Sequence, residues 1–205
     1  MVMTSPGFYL EREVPITHDF WEPRPTAQKW HFGWDTAGAN QRVVAPERVE
    51  VHYQILRQHG DFKLDLRWPN GDWWPYSRYY EWWAGGMAIA FGRAYTYVFL
   101  HVDPVLIYER WQTTGLEFKG TKLRKPGDYT GYVLPEINFV PIVVEKGEFV
   151  CWSGTSGYDD GPHLHMQMAI PGRTVDPVEK AVDPALVWPG IYERQCTVKH
   201  TKGET

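Results

Sequence analysis

Cysteine is scarce in this chain, with two in 205 residues. Cys151 and Cys196 cannot build a disulfide framework; at most they form one bridge, and Cys151 reads most simply as a small buried residue in a strand. No apolar run exceeds strand length, so no membrane-spanning helix is expected. Charge of one sign is also lacking. A net charge of −4 with no basic run leaves no electrostatic footprint for nucleic acid, and there is no phosphate-binding glycine loop. The start, Met1-Val2-Met3-Thr4-Ser5-Pro6, has no basic-then-apolar signal, so classical secretion is not expected from it. Stretches with 3.6-residue periodicity are rare, with at most a short helical turn over Pro177 to Val182. Internal repeats, heptads and low-complexity linkers are missing too.

What is abundant is aromatic and β-branched residues, punctuated by 19 glycines and 16 prolines. That composition predicts a mostly β fold in one domain. Expected strands are Val43 to Ile55, Met87 to Phe91, Tyr95 to Val102, Val105 to Trp111, Ile142 to Val144, Phe149 to Ser153 and His163 to Ile170. The tail from Val198 is polar and expected to fray.

Two motifs carry chemistry. Gly161-Pro162-His163-Leu164-His165-Met166 follows a Gly/Asp-rich turn. On a strand its two imidazoles share one face while Leu164 and Met166 pack on the other. Such a pair suits a zinc ion, or one ligand beside one general base. Alone, it is equally two histidines on an exposed strand. Upstream, His31-Phe32-Gly33-Trp34-Asp35 offers an imidazole and a carboxylate at i and i+4, in a segment whose Gly33 and Gly38 argue for a strand or strand edge. With one imidazole of the later pair they make three protein ligands, and a catalytic zinc keeps a further position open.

The ordered set of motifs resembles the lysostaphin/LytM-type zinc metalloendopeptidases, which cleave peptide cross-links of bacterial peptidoglycan. His31-Phe32-Gly33-Trp34-Asp35 looks like the family's first signature. Tyr97-Val98-Phe99-Leu100-His101 looks like its strand ending in histidine, and the Gly-rich turn into His163-Leu164-His165 looks like its third. Val175-Asp176-Pro177 matches a trailing Asp-Pro. The resemblance implies an antiparallel β-sheet or sandwich of the LytM-like, duplicated hybrid motif type, with a core over about 14–180. It implies His31, Asp35 and His165 as Zn2+ ligands, and His101 and His163 as catalytic histidines that do not bind the metal. Peptidoglycan is the implied partner. The family's occurrence in phage tails and lysis modules adds virion tail proteins as candidate partners. It also suggests a virion-associated chain or one released by host lysis, held in the cytoplasm until then. A structural virion protein using the fold as a scaffold is the alternative.

The chain departs from the family in two insertions, about 53–83 and about 109–141. The segment before His31, Asp19-Phe20-Trp21-Glu22-Pro23-Arg24-Pro25, also lacks the family's usual turn. The first insertion holds five of the eleven tryptophans. Such clustered aromatics suit a glycan-binding lip, a protein interface or a satellite core cluster.

Overall fold

A computed structural model describes residues 6–23, 31–38, 40–55, 86–103, 141–154, 161–171 and 180–196. Nearly all of both insertions lies outside the described residues, as do the expected strand Val105 to Trp111, the turn at 155–160, Asp176-Pro177 and the tail. Among the described residues are ten strands: β1 (Ile16–His18), β2 (Trp34–Ala37), β3 (Arg42–Val44), β4 (Val49–Ile55), β5 (Gly86–Gly92), β6 (Thr96–Val102), β7 (Ile142–Val144), β8 (Phe149–Trp152), β9 (His163–Ala169) and β10 (Ala181–Val182). A 3-10 turn (Pro184–Leu186) and one α-helix, α1 (Pro189–Gln195), follow. No described helix is long and apolar enough to cross a membrane.

The fold is mostly antiparallel β, as composition predicts. The main sheet runs β1-β2-β9-β6-β5-β4-β7, with β10 added beside the end of β9, and β3 pairs separately with β8. The central strands β5 (Gly-Met-Ala-Ile-Ala-Phe-Gly) and β6 (Thr-Tyr-Val-Phe-Leu-His-Val) are buried along nearly their whole length. They therefore read as continuous apolar runs rather than alternating ones. Trp34, Tyr9, Tyr53, Tyr97 and Phe99 are the largest fully buried side chains. For Phe99, leaving water contributes roughly 1.5–3 kcal/mol. The Tyr53 hydroxyl donates to the Val150 carbonyl at 2.6 Å, tying the main sheet to the β3–β8 ribbon.

Three sequence expectations change. Val43 to Ile55 is not one strand. Pro46 has no N–H to donate to a ladder, and there the chain leaves the ribbon for the main sheet. Glu47, next in line, turns its carboxylate to accept from the backbone N–H groups of Arg93, Ala94 and Tyr95 and from the Tyr97 hydroxyl. Ala181 and Val182, expected at the end of a helical turn, form β10 against Met168 and Ala169 because the edge of β9 offers a ladder there. Helix α1 was not expected. It has only seven residues, too short to stand alone. Tyr192 holds it by stacking on Trp34, centroids 5.7 Å apart at 22°. Cys151 is buried and Cys196 half-buried, and no disulfide joins them.

Candidate metal centre

The sheet brings the two motifs together by register. Asp35 on β2 stands directly opposite His165 on β9, and directly opposed residues in a sheet present their side chains on the same face. His163 precedes His165 by the two-residue period, while Leu164 and Met166 are fully buried on the other face. On the far side of β9, Leu100 of β6 pairs with His165, which brings His101 to the same end of the sheet. His31 precedes β2 and reaches back over it.

Gly33 makes that approach possible. A Cβ at this position would collide with the Met166 carbonyl and lie 3.0 Å from His165 Nε2. The glycine between the His31 and Asp35 donors is thus required by close packing against β9.

Three donor atoms converge from residues far apart in sequence. His31 Nε2 lies 3.0 Å from Asp35 Oδ1 and 2.9 Å from His165 Nδ1, 134 positions away. His165 Nδ1 lies 2.9 Å from the same Asp35 oxygen. All three residues are buried. Burial by itself would raise the Asp35 carboxyl. Hydrogen bonds from His165, His18 and His31 outweigh that and hold it well below the usual carboxylate range. Burial pushes His165 down to about 4, so its ring is neutral at pH 7.

Proton counting shows what the cluster lacks. His31 Nδ1 faces the Asp19 carbonyl at 2.7 Å and must donate to it, so a neutral His31 presents a lone pair at Nε2. Asp35 is ionised and brings no proton. His165 Nδ1 can supply one, which serves one of three close contacts. A second proton, on His31 Nε2, would raise that to two at most, because the ionised Asp35 Oδ1 brings none. A cation satisfies all three donors at once. Two imidazole nitrogens and one carboxylate oxygen with further positions open are the donor set of a catalytic zinc. The residues present therefore fit the ion that the motifs imply.

The surroundings brace this set. Asp19 is buried, and its carboxylate accepts from the Phe20 N–H at 2.7 Å, Trp34 Nε1 at 3.0 Å and the Tyr192 hydroxyl at 2.7 Å. Its carbonyl is thereby fixed on His31 Nδ1, the outer contact that sets a ligand's tautomer and orientation. Sequence reasoning missed Asp19, His18 and the helix that supplies Tyr192. All act through contacts between distant segments, and no local spacing marks them.

The two other histidines border the cluster. His163 Nδ1 donates to the Gly161 carbonyl at 2.9 Å, leaving Nε2 as the acceptor, 4.0 Å from Asp35 Oδ1. The His101 ring packs on His163 with centroids 4.4 Å apart. His101 itself has φ of 60°, a left-handed conformation that costs a residue bearing a Cβ about 1–2 kcal/mol. Its carbonyl accepts from the Gly154 N–H at 2.8 Å, and it is buried. Strain of this kind persists where the surroundings over-determine it, often at functional sites. We predict that His101→Gly is more stable than His101→Ala by about 1–2 kcal/mol in urea unfolding, although both lose the ring. Equal stability would mean that the positive φ carries no cost.

No family model matches the sequence, and no curated protein matches it. Solved structures do align. A zinc containing peptidase from Vibrio cholerae shares 17% identity at a TM-score of 0.46, over 85% of this chain and 40% of that one. The antimicrobial peptidase lysostaphin from Staphylococcus simulans shares 14% at 0.48, over 100% of this chain and 60% of that one. The catalytic domain of the prophage-encoded protein EnpA from Enterococcus faecalis, solved as a mutant, shares 15% at 0.44, over 88% of this chain and 94% of that one. This chain thus spans less than two thirds of the length of the first and second of these structures.

Proposed function

We propose that this chain is a zinc-dependent endopeptidase of the lysostaphin/LytM type that cleaves peptide cross-links of bacterial peptidoglycan. The observation that carries the reading is the convergence of His31 Nε2, Asp35 Oδ1 and His165 Nδ1 within 4.8 Å of one another, where hydrogen bonds can serve at most two of the three contacts. The order of the His31-x-Gly33-x-Asp35, His101 and His163-x-His165 motifs supports the substrate class. His31, Asp35 and His165 would hold the ion. When bound, zinc would polarise the scissile carbonyl and acidify a water.

The remaining chemistry belongs to the chain's own side chains. The Gly161 carbonyl fixes the tautomer of His163, so its Nε2 accepts the proton released when the carbonyl is attacked. The two rings pack together, and the His101 imidazole stands where it can donate to the developing oxyanion or the departing amine.

The test is metal content and cleavage on one purified sample, using peptidoglycan sacculi with a chelator control. About one zinc per chain is expected, as for a three-ligand catalytic site, with chelator-sensitive release of new amino termini. Absence of metal, together with no release from any wall type, would overturn the reading and leave the fold as a scaffold, as in a virion structural protein.

A further inference from the structure

The Asp35 carboxylate divides its two oxygens. Oδ1 faces His31 Nε2, His165 Nδ1 and His163 Nε2. Oδ2 faces a residue on the opposite side, His18 Nδ1, at 3.3 Å, the outer end of hydrogen-bond range. We propose that His18 is a positioning residue for the metal centre: it holds Oδ2 so that Oδ1 stays aimed between the two ligand imidazoles. The inference rests on the zinc reading given above.

The backbone supplies an independent argument. β1 pairs with β2 antiparallel, and Ile16 stands opposite Thr36. Regular pairing from that point would place His18 opposite Trp34. The register instead slips by one between Ile16 and His18, and His18 comes to stand opposite Asp35. A bulge of this kind re-aims a side chain, and bulges are over-represented beside active sites. The slip lines up His18, Asp35 and His165 across three neighbouring strands. Thr17 anchors the bulge, its hydroxyl donating to the Asp35 carbonyl at 3.2 Å. The His18 ring also meets His31 edge-on, centroids 6.3 Å apart. It therefore touches two of the three candidate ligands, yet its side chain is 43% exposed. That exposure is more than a core packing role requires, and it sets His18 on the solvent side of the centre.

A free carboxylate rotates about its last bond and can exchange its oxygens. Fixing the second oxygen removes that freedom before the ion arrives, the way outer contacts of ligating carboxylates act elsewhere. The His31 ring is held in the same manner by Asp19. The centre would then have one outer contact on the first imidazole and one on the carboxylate.

The test is zinc affinity, measured by competition against a chromophoric chelator, for the parent, His18→Ala and His18→Asn. An Asn amide nitrogen occupies nearly the position of a histidine Nδ1 but is a poor zinc ligand. We expect His18→Ala to bind zinc roughly 10–100-fold more weakly, and His18→Asn to recover to within about threefold of the parent. The thermal unfolding midpoints of the metal-free variants should match that of the parent, which separates positioning from folding. If His18→Ala binds zinc as tightly as the parent, or His18→Asn is as weak as His18→Ala, the proposal falls while the zinc reading stands. A parent that takes up no zinc removes the zinc reading, and this one with it.

Discussion

Replacing Asp35 with asparagine should strip the chain of metal and leave it folded. The amide keeps the shape of the carboxylate and its place opposite His165. It removes the charge, however, and offers zinc only a weak neutral oxygen. Loss of an outer contact alone typically costs 10–100-fold in metal affinity, so loss of a ligand charge should cost more than about 100-fold. Peptide release from sacculi should fall with it. Folding should survive at reduced stability: the hydrogen bonds that outweigh burial of the Asp35 charge are weakened, but the amide fills the same volume and can still hydrogen-bond. The readout is zinc per chain after desalting, with circular dichroism as the fold control. Stoichiometric zinc in both Asp35→Asn and Asp35→Ala would remove Asp35 from the ligand set.

His163→Ala should behave in the opposite way, keeping its zinc and losing turnover. The three candidate ligand atoms do not depend on this ring, whose Nε2 stands 4.0 Å from Asp35 Oδ1, beyond hydrogen-bond reach. A positioned general base or acid contributes about 10²–10⁴-fold, and the drop in kcat should fall in that range with metal content unchanged. Turnover within about tenfold of the parent would transfer the base role to another group. Loss of zinc would instead make His163 part of the ligand shell. Together the two variants separate holding the ion from moving the proton.

The strand alternation of His163-Leu164-His165 was readable because it depends only on the two-residue period; Leu164 and Met166 are buried as expected, and His165 and Gln167 on the other face are buried too. Which of the two imidazoles meets Asp35 was not readable from spacing. It is set by the β2–β9 register, and the resemblance rather than the geometry supplied it. His18 was invisible for a similar reason. β1 is three residues long, too short to show a pattern, and its partner is chosen by a bulge. α1 carries Pro189 and Gly190 in its first turn, and glycine weakens any helical signal. The helix exists because Tyr192 finds Trp34 and Asp19, contacts that a local window does not contain. The break at Pro46 is the one misread feature whose signal was in plain sight.

The donors on β2 and β9 stand 130 positions apart, which has a consequence for the order of events in the cell. At about 5–20 residues per second, a ribosome needs on the order of 10 s to travel from Asp35 to His165. Through that interval β2 lacks the neighbour that carries the opposing ligand, and the nascent chain offers at best a two-donor fragment. On the zinc reading, metal loading would therefore be a late event, after β9 has docked. An ion that binds only the finished sheet leaves the folding rate alone and slows escape from the folded state.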